Sequence, residues 1–228
     1  MRKILENIGD IAHHFEIQHQ NPYVDQLNFQ STPTAPSYQV DLTLAVDFDQ
    51  PSPLRSHLPR DFVERVKRDS GNFFSSSFTR EQNNYIRNQP DRVKNLIRLV
   101  KFWYKVDVPD LTNLPPAECK FKSYLFELLT IGVWRKYLNG SEHFEMLRAF
   151  KTVLTAITQH DSMYLVVGEQ QPAPDIRSQR PLIVGPNNEY ENVAKSGKKW
   201  EELSRIARLT MNEANLISVQ PYPLVTPS

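Results

Sequence analysis

The stretch Asp91–Lys105, DRVKNLIRLVKFWYK, decides how the second half of the chain is read. Val93, Leu96, Ile97, Val100 and Tyr104 recur at the spacing of one buried helical face. Lys94, Arg98, Lys101 and Lys105 fall at i, i+4, i+7 and i+11, a second face beside the first. The segment therefore predicts a helix over 91–107 with a core side and a cationic side. Arg80 to Lys105 carries seven Lys or Arg against two acids. That excess is either a solvated face or a track for a polyanion, since cations one turn apart can follow a phosphate chain or grip a triphosphate. The residues alone leave both readings open.

Outward from this helix, periodicity predicts further helices near 59–68, 79–87, 121–138, 143–159 and 197–210. SMYLVVG (162–168) and RPLIVG (180–185) read as short strands between the last two helices. QPSPLRSHLP (50–59) punctuates the chain and marks a domain boundary. Before it, YQVDLTLAVDFD (38–49) alternates: Val40, Leu42, Leu44, Val46 and Phe48 on one side, Gln39, Asp41, Thr43, Ala45, Asp47 and Asp49 on the other. Residues 19–38 read as a polar loop, FEIQ (15–18) as the start of a strand, and 3–14 as an amphipathic helix. Strands early and helices late predict an α+β protein.

Composition narrows the function classes. The 228 residues are 39% hydrophobic and 23% charged with a net charge of +1, so any attraction for nucleic acid must come from a local patch. The single cysteine, Cys119, excludes an internal disulfide and a multi-cysteine zinc site, and fits a reducing compartment without a disulfide-linked partner. No apolar run reaches the ~18 residues of a membrane span. The opening MRKILENIGD lacks the apolar core of a signal peptide.

Three groups of residues carry candidate chemistry. The acidic side of 39–49, with Asp41 and Asp47, offers oxygen ligands of the kind Mg²⁺ takes, although exposed carboxylates on a strand are ordinary. The cationic helix is the second. The third is FKSYLFELLT (121–130), in which Leu125, Leu128 and Leu129 build a core face and Ser123 and Tyr124 open the helix. A hydroxyl and free backbone N–H groups there suit phosphate, and a tyrosine can stack on a base. SGKKW (196–200) imitates the end of a phosphate-binding P-loop, but the glycine required five residues before Gly197 is Asn192. His13, His14 and His143 have no metal-ligand spacing around them.

FTREQNNYIRNQPDRVKNLIRLVKFWYK (78–105), SYLFELLTIGVW (123–134), FKTVLTAIT (150–158) and RPLIVGPNNEYENVAKSGKKWEELSRIA (180–207) together resemble the C-terminal two-thirds of a 2'-5'-oligoadenylate synthase, in order and spacing. The resemblance covers roughly residues 41–210. It implies a polymerase-beta-like nucleotidyltransferase: residues 1–50 as the remainder of its catalytic palm and 51–228 as a helical C-terminal domain. It implies joining of AMP units from ATP when double-stranded RNA binds, with Mg²⁺, in the cytoplasm, as part of antiviral innate immunity. By the same resemblance Asp41 is a catalytic metal ligand, with Asp47 at the spacing of the family's following Asp. Arg98, Lys101, Ser123 and Tyr124 contact nucleotide, while Arg87, Arg92 and Lys94 contact RNA.

The sequence departs from the family in several places. Ser123 stands where the family has Gln, as in the cyclic-dinucleotide relatives. Asn83 replaces a basic RNA-contacting residue, Gly185 replaces the first Asp of a DPADPTGN segment, and the C-terminal Cys-Phe-Lys segment is absent. The family's Gly-Ser loop and first two metal Asp residues belong before residue 3, so the reading expects an N-terminally truncated, inactive form. Its alternatives are a catalytically dead module that binds duplex RNA or nucleotide, and a cyclic-dinucleotide-type enzyme.

Overall fold

A computed structural model describes residues 14–20, 24–30, 32–43, 68, 79–111, 121–195 and 199–224. The chain divides into two compact units, Met1–Thr79 and Arg80–Ser228.

In the first unit, β1 (His14–Gln20), β2 (Val24–Gln30) and β3 (Tyr38–Thr43) form an antiparallel sheet in that order. β1 bears out the strand expected from FEIQ. β2 corrects the reading of 19–38 as a loop. Its sequence VDQLNFQ is polar overall and lies between Pro22 and Pro33, so composition favoured a loop. Pairing on both sides makes it the central strand. Register sets Phe15, Phe29 and Tyr38 in one cross-strand row and Ile17, Leu27 and Val40 in another. The intervening positions form polar rows: Glu16, Asn28 and Gln39, then, after an irregularity between Ile17 and His19, His19, Gln26 and Asp41. The register thus gathers apolar residues into two cross-strand rows and polar residues into two others, with Gln20, Asp25 and Leu42 in a mixed row at the end. Most of the expected helix 3–14, the strand end 44–49 with Asp47, and the helix at 59–68 apart from Arg68 lie outside the described residues; His14 begins β1.

The second unit holds α1 (Thr79–Arg87), α2 (Asp91–Leu111), α3 (Ser123–Tyr137), α4 (Met146–Thr158), α5 (Lys199–Met211) and the short α6 (Ala214–Ile217). Between α4 and α5, β4 (Tyr164–Val166) and β5 (Leu182–Val184) pair in parallel. The expected helices are therefore present within a few residues. α2 runs one turn beyond 107 and contains Pro109 in its last turn, where the ring nitrogen cannot donate to the carbonyl four residues back and the helix ends two residues later. Among the described residues the architecture is α+β, helical with small sheets.

The core lies between α2, α3, α4 and α5. Val93, Leu96, Ile97 and Val100 are buried as the 3.6-residue period requires, and Tyr104 is half-buried against the same cluster. Trp103 is buried as well: its ring meets Phe150 edge-on and its Nε1–H donates to Thr210 Oγ1 at 2.9 Å. α3 is buried on every side from Leu128 to Trp134, the mark of a central helix. Gly132 makes its fit close, since a Cβ there would lie 3.1 Å from Leu165 Cβ.

Candidate anion-binding site

α1, α2 and α3 enclose a groove of about 430 Å³ within the second unit. Arg87 enters it from α1. Lys94, Arg98, Lys101 and Lys105 enter from α2, and Glu127 comes from α3. Five basic side chains thus face one carboxylate, and Ile86, Ile97 and Phe102 complete the lining. The cationic face read from the sequence is a concave wall. Its spacing puts one cation on each successive turn of α2, and the adjacent core face, which shares Ile97 with the groove, holds that wall still.

The cations differ in what already occupies them. Lys94 pairs with Asp91 at 2.8 Å and donates to the Arg87 carbonyl at 3.2 Å. Its ammonium is the main cause holding the Asp91 carboxyl below the usual range, with Arg98 adding a smaller effect. Arg98 Nη1 donates to Asn95 Oδ1 at 2.6 Å. Lys101 reaches across to Glu127 at 2.5 Å, both side chains largely buried. Among the described residues, Arg87 and Lys105 have no ion pair.

Arg92 does not line the groove. Its Nε donates to the Phe144 carbonyl at 3.0 Å, its Nη2 donates to the same oxygen, and its guanidinium lies 5.1 Å over the Phe144 ring. This cation braces α2 against the entrance to α4, a packing duty that sequence spacing did not reveal.

Ser123 and Tyr124 open α3, as expected, after an extended Lys122 whose side chain makes no cap. Ser123 is exposed, whereas Tyr124 is half-buried and packs against the core. Burial pushes the Tyr124 phenol far up, and the carboxylates of Glu191 and Glu127 push it further. Gly185 gives the phenol its space: a Cβ at 185 would lie 2.9 Å from Tyr124 Oη and 3.2 Å from Leu128 Cδ1. Neither Ser123 nor Tyr124 lines the groove. Asp41 lies in the other unit, on β3 opposite Gln26.

Phe102 is a groove residue that sequence reasoning missed. Its ring is 60% exposed although α2 has a core to pack into, and it lies between Lys101 and Lys105 in sequence. The available signal was its position on the cationic side of the helix, off the apolar stripe. Glu127 was missed because nothing local pairs it with Lys101, 26 residues away.

Comparison with known proteins supplies the family. The sequence model of the family described as "2'-5'-oligoadenylate synthetase 1, domain 2, C-terminus" matches residues 55–224. The chain is 33% identical over 148 residues to 2'-5'-oligoadenylate synthase 1A of Rattus norvegicus, covering 60% of this chain and 39% of that protein. It is 30% identical over 153 residues to 2'-5'-oligoadenylate synthase-like protein 1 of Mus musculus, covering 61% and 29%. Against 2'-5'-oligoadenylate synthase 2 of Mus musculus the identity is 31% over 171 residues, covering 71% and 22%. The chain thus matches well under half the length of each of these relatives. No described helix is long and apolar enough to cross a membrane. With the match spanning three-quarters of its residues, the chain belongs to the 2'-5'-oligoadenylate synthetase family.

Proposed function

We propose that these residues form the polyanion-binding part of a 2'-5'-oligoadenylate-synthase-type nucleotidyltransferase, with the groove between α1, α2 and α3 as the contact surface. The observation that carries this reading is the groove itself: five basic side chains and an exposed phenyl ring against one carboxylate. Phosphate oxygens satisfy cations at this spacing, and a ring beside them can stack on a base. Arg98 and Lys101 are assigned to a nucleoside triphosphate such as ATP, and so are Ser123 and Tyr124 at the head of α3, the helix that brings Glu127 to the groove. Arg87 and Lys94 are assigned to duplex RNA, read by shape through phosphates and 2'-hydroxyls. Arg92, also expected to contact RNA, would act from its brace on Phe144. Family membership supports the cytoplasmic, antiviral setting.

We further assign the β1–β3 sheet to the palm of such an enzyme, with residues 51–228 as the helical domain. Asp41 would give one carboxylate to Mg²⁺, whose role when bound is to align the attacking hydroxyl and stabilise the leaving pyrophosphate. Among the described residues, Asp41 shares its cross-strand row with Gln26 and His19 and with no second carboxylate. One carboxylate fills only part of a Mg²⁺ shell, so no catalytic step is assigned to these residues.

The test is fluorescence anisotropy of a labelled RNA duplex, and of a labelled ATP analogue, titrated with the 228-residue chain at several salt concentrations. Arg87→Ala with Lys94→Ala should weaken duplex binding and flatten the slope of log affinity against log salt by about one unit per lost phosphate contact. Lys101→Ala should act on the nucleotide instead. Variants that bind both probes like the parent across the salt range would make the groove a solvated face only. RNA binding without nucleotide binding would favour a pure binding module.

A further inference from the structure

A second cluster lies in the same unit, where the 3₁₀ turn His160–Ser162 after α4 meets the start of α5. His160 is a buried side chain, 5% exposed. Its ring stacks on Trp200, with centroids 5.9 Å apart and 14° between planes. Its Nδ1 lies 3.2 Å from the Ile157 carbonyl. A carbonyl only accepts, so Nδ1 carries the hydrogen there, and a neutral ring then has its lone pair on Nε2.

Nε2 meets no hydrogen-bond donor among the described residues. It lies 3.3 Å from Asp161 Oδ1 and 3.4 Å from Glu201 Oε1, two carboxylates on exposed side chains. A lone pair facing two anions is repelled by both. The arrangement needs a positive charge, either a proton on Nε2 or a cation among the three atoms. The spacing suits the cation: ligands ~2.05 Å from a tetrahedral ion lie ~3.3 Å apart. All three ligand atoms lie within 4.8 Å of one another, and the two carboxylates are free to close because they are exposed. The carbonyl bond at Nδ1 is the outer support that metal-bound histidines ordinarily have, fixing the tautomer and the ring.

We propose that His160, Asp161 and Glu201 form a three-ligand site for a divalent transition-metal ion of the Zn²⁺ class. The imidazole nitrogen argues against Mg²⁺ and Ca²⁺, which take oxygen ligands. Three protein ligands leave one position to solvent on the side where both carboxylates are exposed. Asp161 follows α4 and Glu201 lies in the first turn of α5, so the ion fastens the end of one helix to the beginning of the next. The buried Trp200, its Nε1–H donated to the Ala194 carbonyl at 2.9 Å, backs the site as a fixed wall and as a reporter.

The experiment titrates the chelator-treated 228-residue chain with Zn²⁺ by calorimetry and with Co²⁺ by visible absorption and tryptophan fluorescence. One ion per chain, tetrahedral Co²⁺ bands, quenched tryptophan emission and a raised Tm in Zn²⁺ are expected. Asp161→Asn and Glu201→Gln, both at exposed side chains, should each weaken Zn²⁺ by at least about tenfold while leaving the fold intact. Cys119→Ser and His143→Ala should leave it unchanged. Absence of Zn²⁺ binding at a hundredfold excess overturns the proposal. So does affinity that survives Glu201→Gln, or that is lost in Cys119→Ser; the cluster would then be an imidazolium paired with two carboxylates.

Discussion

α2 and α3 lie side by side and treat charge in opposite ways. α2 divides its circumference between a core face and a cationic groove, and α3 gives nearly all of its middle to the core. On α2, Asp91 is held ionised chiefly by Lys94 beside it. Against α3, burial raises both the Tyr124 phenol and the neighbouring Glu191 carboxyl, since desolvation disfavours the charged form. Opposite charge governs one helix and desolvation the other. Function that depends on net positive charge therefore belongs on α2, while α3 supplies the rigid wall behind it.

The largest test of this contrast is stability. Leu128→Ala, fully buried on α3, should cost about 2–5 kcal/mol through lost transfer energy and a cavity. Lys105→Ala on the exposed side of α2 should change stability by less than about 0.5 kcal/mol. Urea denaturation of both variants checks this, and similar losses would break the contrast.

A smaller effect sharpens it through Glu127, the point where α3 enters the groove. Glu127→Gln removes the single carboxylate of the lining and frees Lys101. Anion affinity should rise about two- to fivefold, the scale of a partly exposed ion pair, with less than ~1 kcal/mol lost in stability. The anisotropy titration measures it, and weaker binding would mean that Glu127 positions Lys101 for its ligand.

The smallest effect concerns Glu191. Burial is the first cause of its raised pKa, and Lys122 and a hydrogen bond from Asn188 oppose the shift. A carboxyl whose folded pKa exceeds its ordinary 4.5 penalises the fold when ionised. The penalty is complete above the raised value and vanishes as pH falls through it towards 4.5. Glu191→Gln should therefore raise Tm slightly at neutral pH, with the gain closing in acid. Thermal melts across that range check the sign, and a variant less stable at neutral pH would make the Lys122 attraction dominant.

Period alone made α2 legible, because a core face repeating every 3.6 residues leaves few alternatives, and the cations beside it follow from the same spacing. The sequence by itself determined the helical second unit, the strand at β3, the cationic face and, through long matching segments, the family. Tertiary structure alone decided the partners. β2 is a strand because two neighbours satisfy its backbone groups, a nonlocal condition that its polar composition conceals. Arg87 and Arg92 look alike in sequence, yet Arg87 opens into the groove and Arg92 is consumed by the Phe144 carbonyl, 52 residues away. Glu127 against Lys101, Gly185 against Tyr124 and Glu201 against His160 are likewise pairs between distant segments. Hydrogen bonds and charge interactions act over a few ångströms of space, and only the packing of α2 to α5 brings such segments within that range.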